Sequence, residues 1–82
     1  MDSTAVSIDQ ELDLCGEVCP YTFVKSKLAL EELETGQVLR VLVDHRPAVD
    51  NVPRSMQNEG QEIVGIAEVG TTQWTITIRK AT

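Results

Sequence analysis

The chain has 82 residues, enough for one small domain whose folding buries roughly 63% of the surface its unfolded form exposes. With 41% hydrophobic and 24% charged residues it has the make-up of a folded globule, and no apolar run approaches the ~20 residues of a membrane-spanning helix. Seven basic against 13 acidic residues, a net charge of −6, and 4% aromatics argue against direct nucleic-acid binding, which needs cations for phosphates and rings for bases.

Residues 1–8 are small and polar with scattered apolar positions and read as a flexible tail ahead of a single domain over 9–82. Met1 to Gln10 lacks the basic and apolar regions of a secretory signal, so the expected compartment is the reducing cytoplasm, where thiols are more often chemical than structural. Two cysteines and one histidine cannot close a structural zinc site without carboxylates, and neither metal nor cofactor is expected.

From Gln10 to Leu14 the pattern alternates, Leu12 and Leu14 against Glu11 and Asp13, as in a short strand wetted on one side. Gly16 permits a tight turn. Pro20 suits the first turn of a helix running to about Glu34, with Thr22, Ser26, Ala29, Leu30 and Leu33 on the core stripe beside Phe23. Glu31, Glu32 and Glu34 oppose the dipole at its end, and Gly36 is expected to stop it.

Val38 to Val43 is aliphatic except for Arg40 and reads as a central strand buried on both faces or nearly so. A loop from Asp44 is followed by a second helix starting at Ala48 to Asp50, placing Pro53 in its first turn, with Val49, Val52 and Met56 inward and Gly60 as its cap. Glu62 to Val69 and Gln73 to Lys80 form a closing hairpin, with Trp74, Ile76 and Ile78 on one face. The order β-α-β-α-β-β predicts an α+β fold: a two-layer α/β sandwich, two helices on one face of a four-stranded mixed sheet.

Cys19 directly precedes Pro20, at the head of the first helix. Unpaired N–H groups and the positive end of the dipole favour a thiolate there and lower a cysteine's pKa. Position alone fits equally a small buried hydrophobe at a turn.

The run Leu12-Asp13-Leu14-Cys15-Gly16-Glu17-Val18-Cys19-Pro20, followed by Asp44, Val52-Pro53-Arg54 and Gly60, resembles the TusA/SirA-like sulfur-carrier family from about Glu11 to Lys80. The resemblance implies the same two-layer fold. It also implies a sulfurtransferase-type carrier that holds sulfane sulfur as a persulfide on Cys19, with Pro20 fixing the helix start. A protein donor, a cysteine desulfurase or rhodanese-like enzyme, would load it, and a protein acceptor would receive the sulfur. Such relays serve tRNA thiolation, molybdenum-cofactor synthesis or sulfur oxidation. Many members carry Cys-Pro-x-Pro, and here Thr22 replaces the second proline.

Cys15 lies four residues before Cys19, a spacing unlike that of thioredoxins. It is either a resolving thiol that expels the outer sulfur and closes a disulfide with Cys19, or a passive strand-end residue. The first option opens a different reading of the whole chain, a redox or regulatory interaction module cycling between dithiol and disulfide. Around the cysteines, His45 could shuttle a proton and Arg46 or Arg54 attract an anionic donor, unless all three are simply solvated. Tyr21, Val24 and Leu28 form an apolar stripe flanked by Lys25 and Lys27, a candidate face for a relay partner. Asp44 is expected to cap a turn.

Overall fold

A computed structural model describes residues 7–18 and 21–82. Residues 1–6, most of the predicted tail, and Cys19 and Pro20 lie outside the described residues. The elements are β1 (Gln10–Asp13), α1 (Tyr21–Glu31), β2 (Val38–Val43), α2 (Arg46–Asn58), β3 (Glu62–Gly70) and β4 (Gln73–Arg79).

The sheet order is β1-β2-β4-β3. β1 runs parallel to β2, with Leu12 opposite Val41, while β4 is antiparallel to both β2 and β3. Period-2 alternation decides which side chains meet the helices. Leu39, Val41 and Val43 of β2 and Ile76 and Ile78 of β4 share one face and are fully buried. Leu30 of α1 and Ala48, Val52 and Met56 of α2 pack on that face, with Leu14 beside them. Both helices therefore cover the same side of a mixed four-stranded sheet, as the α+β reading requires. Among the described residues no helix is long and apolar enough to cross a membrane.

Among the described residues only one helical layer is present, and it covers one face of the sheet. On the opposite side of β2, Val38 is buried while Arg40 and Leu42 are half-buried, so the strand is buried fully towards the helices and only in part on the other face. Arg40 spends its charge on Glu11 across the β1–β2 pair.

Two helix boundaries also differ from expectation. α1 ends at Glu31, not Glu34, because its last turn tightens: Glu32 N–H donates to the Ala29 carbonyl (3.2 Å) and Leu33 N–H to that of Leu30 (3.0 Å). Lys80 Nζ then donates to the carbonyls of Glu31 (3.2 Å) and Leu33 (2.7 Å), placing a cation on the negative end of the dipole. Gly36 (φ +95°) belongs to the next turn rather than to the helix stop.

α2 starts at Arg46, ahead of the predicted start, because Pro47 occupies the first turn, where a missing N–H costs nothing. Pro53 consequently lies inside the helix, buried beside Val52, and the Val49 carbonyl loses its helical donor. The i, i+4, i+8 stripe of Ala48, Val52 and Met56 against the sheet outweighs that loss. The helix ends as expected at Gly60 (φ +90°). There Gln61 N–H reaches the Met56 carbonyl (2.9 Å) and Gly60 N–H that of Gln57 (3.0 Å), the two bonds of a Schellman motif.

Candidate functional site

Parallel pairing brings the C-terminal ends of β1 and β2 to one edge of the sheet, and antiparallel β4 begins there, with Trp74 opposite Val43. Both helices start at that end, α1 at Tyr21 and α2 at Arg46. The segment linking β1 to α1 is pinned at several points. Leu14 N–H donates to the Leu42 carbonyl (2.8 Å), Glu17 N–H to that of Leu14 (3.1 Å), and Tyr21 N–H to that of Val18 (2.8 Å). Gly16 adopts φ +91°, a turn conformation closed to most residues, and its N–H donates to Asp44 Oδ1 at 2.9 Å. Asp44 thus ties the segment to the end of β2, the capping role expected of it.

In sequence Cys19-Pro20 directly precedes Tyr21, the first residue of α1. The first turn of α1 holds no acidic residue to offset the positive end of its dipole.

Cys15 is a half-buried free thiol. Its N–H donates to Asp13 Oδ1 (3.0 Å), and the Gln73 amide nitrogen lies 3.6 Å from its Sγ. Partial burial pushes this thiol above its ordinary pKa. The Asp13 carboxylate and the charge of Asp44 add to the rise, while Gln73 acts in the opposite sense. Asp13 responds reciprocally: the bond from the Cys15 N–H, and a side-chain bond with the same residue, hold its carboxyl below the usual value. Cys15 is therefore less of a thiolate than an ordinary cysteine.

The other residues singled out from the sequence divide by location. Tyr21, Val24 and Leu28 are exposed, as is Val18 just before α1. Lys25 and Lys27 are already paired, Lys25 Nζ with Glu17 (2.7 Å) and Lys27 Nζ with Glu59 (3.2 Å). His45 is the half-buried N-cap residue of α2, its carbonyl accepting the Ala48 N–H (2.9 Å). Arg46 lies over the Trp74 ring, 5.8 Å from its centroid, and 3.8 Å from Asp50. His45 and Arg46 thus share the end that holds Cys15. Arg54 is exposed two turns further along α2, about 12 Å from the helix start.

Sequence reasoning missed Asp13, Gln73 and Trp74 as neighbours of this end. Asp13, two residues before Cys15, carried an Asx-turn signal. Gln73 lies 58 positions from Cys15 and carried none.

Comparison with known proteins gives a consistent set of likenesses. The family model described as "Sulfurtransferase TusA" matches residues 10–80. A protein of Archaeoglobus fulgidus named "Putative sulfur carrier protein" is 47% identical over 79 residues, covering 96% of this chain and 90% of its own. A protein of Methanocaldococcus jannaschii carrying the same description is 39% identical over 71 residues, 87% of this chain and 93% of that one. The crystal structure of a SirA-like protein from Desulfitobacterium hafniense superposes with a TM-score of 0.78 at 30% identity, covering 89% of this chain and 99% of its own.

Proposed function

The chain belongs to the TusA sulfurtransferase family, and we propose that it is a sulfur carrier holding sulfane sulfur as a persulfide on Cys19 and passing it to a partner protein. The observation that carries this reading is the start of α1 at Tyr21, directly after Cys19-Pro20, with no carboxylate in its first turn. A helix start of this kind favours the thiolate, the form that does the chemistry.

Two displacements suffice. In loading, the Cys19 thiolate attacks the outer sulfur of a donor persulfide; its S–S bond breaks, the donor leaves as a thiolate, and Cys19 becomes Cys19–S–S⁻. In unloading, an acceptor thiolate attacks the outer sulfur of Cys19–S–S⁻, and Cys19 leaves as a thiolate. Sulfur moves without net oxidation, so the reducing cytoplasm is a suitable setting and a protein desulfurase or rhodanese-like enzyme a suitable donor. In this role the exposed Val18, Tyr21, Val24 and Leu28 meet the partner, while Lys25 and Lys27, spoken for by Glu17 and Glu59, contribute less. Arg46 and His45, at the same end, are the groups to steer an anionic donor; Arg54 is more remote.

Onward transfer tests the reading. Protein loaded with polysulfide and freed of excess reagent is mixed with reduced glutathione, and glutathione persulfide is read by mass spectrometry. Parent and Cys15→Ser should yield it in equal amounts and Cys19→Ser none. Equal yield from Cys19→Ser would refute the proposal.

A further inference from the structure

Family membership accounts for a single sulfur-bearing cysteine, but this chain has a second thiol four residues upstream. A Cys15 thiolate would endanger the cargo in two ways. Attack on the inner sulfur of Cys19–S–SH forms a Cys15–Cys19 disulfide and expels HS⁻. Attack on the outer sulfur gives Cys15–S–SH and leaves Cys19 as a thiolate. Neither step requires an outside oxidant, and the rate of each rises with the thiolate fraction of Cys15.

We propose that Asp13 and Asp44 are specificity-determining residues that keep Cys15 out of sulfur transfer, so that sulfur on Cys19 waits for a partner. The inference rests on the reading of Cys19 as the carrier. Each carboxylate is anchored by a backbone N–H at the cysteine: Asp13 Oδ1 takes that of Cys15 itself (3.0 Å) and Asp44 Oδ1 that of Gly16 (2.9 Å). Neither can turn away without breaking its bond. Two negative charges are thus fixed at the backbone of Cys15 and of the residue after it, and ionising the thiol would add a third. Among the described residues no lysine or arginine pairs with either carboxylate to cancel it. Partial burial acts most strongly on the thiol, and the groups that add to it are Asp13 of β1 and Asp44 at the end of β2, with Gln73 of β4 acting in the opposite sense. Gln73 alone favours the thiolate, through a single long contact of 3.6 Å. The arrangement assigns the two cysteines opposite duties, one kept reactive and one kept protonated.

Iodoacetamide alkylation of Cys15, followed against pH in a Cys19→Ser background, tests this without depending on sulfur loading. Asp13→Asn keeps an oxygen to accept the Cys15 N–H but removes the charge, and Asp44→Asn does the same at Gly16. Both should move the alkylation profile to lower pH and raise the rate at pH 7.5 several-fold, with unchanged circular dichroism. In the two-cysteine protein, Asp13→Asn loaded with polysulfide should show Cys15–Cys19 disulfide or Cys15 persulfide by peptide mapping, where the parent shows Cys15 free. If Asp44→Asn fails to fold, Asp13→Asn decides alone. Parental alkylation profiles in the folded variants would overturn the proposal. Loss of sulfur loading in the parent would instead overturn the carrier reading and leave the alkylation result standing.

Discussion

Asp13 serves two ends at the residue scale: its carboxylate closes the turn at the end of β1 and charges the surroundings of Cys15. Its own pKa is depressed by the Cys15 N–H, so the sign of its contribution to stability follows. A carboxylate with a lowered folded pKa stabilises the fold in full above its unfolded value of about 3.9, and that part is lost as pH falls through the lower folded value. Asp13→Asn should accordingly be less stable than the parent at pH 7, with the gap closing in urea titrations carried from about pH 4 towards pH 2. A gap that is constant over that range would contradict the assignment. The motif Leu-Asp-x-x-Gly and Cys-Pro made Cys19 legible in the sequence. The character of Cys15 was legible only in part: Asp13 stands two residues away, but the partial burial that raises the thiol most, and the smaller effects of Asp44 and Gln73, 29 and 58 positions away, come only with folding.

Most of what the elements do is local, and most of it was legible. Strand β2 spans the predicted residues, the core stripe of α1 is the predicted one, and Gly60 closes α2 in the predicted left-handed conformation. Gly60→Ala would force a side chain into φ +90° and set its Cβ 3.2 Å from Thr82 Cγ2, a neighbour able to yield. The expected loss is about 1–2 kcal/mol, nearly all of it backbone. Since ordinary values give a chain this size roughly 4–12 kcal/mol in total, urea unfolding will register a clear drop in midpoint with an unchanged slope. The boundaries that differ have non-local or competing causes. α1 stops early where Lys80, from beyond β4, reaches its last carbonyls. α2 starts early because Pro47, rather than Pro53, takes the tolerant first turn.

For the whole molecule, a single topological fact organises the site: β1 and β2 are parallel, so both strand ends and both helix starts meet at one edge. The element order, with only two helices for four strands, predicted both helices on one face. What it did not show is how far β2 is exposed on the other face, where Val38 is buried but Arg40 and Leu42 are half-buried. The resulting division places the charged pair Arg40–Glu11 on the open face and gathers Cys15, Asp44, His45 and Arg46 at the edge where both helices start. In the proposed carrier Cys19, and not Cys15, bears the sulfur. Intact-mass spectrometry after treatment with polysulfide, or with thiosulfate and a rhodanese, tests it on the parent, Cys19→Ser and Cys15→Ser side by side. The account predicts a gain of one sulfur atom in the parent and in Cys15→Ser, reversed by reductant and absent from Cys19→Ser. An equal gain in Cys19→Ser, or a loss of two hydrogens that needs both cysteines with no sulfur added, would contradict it.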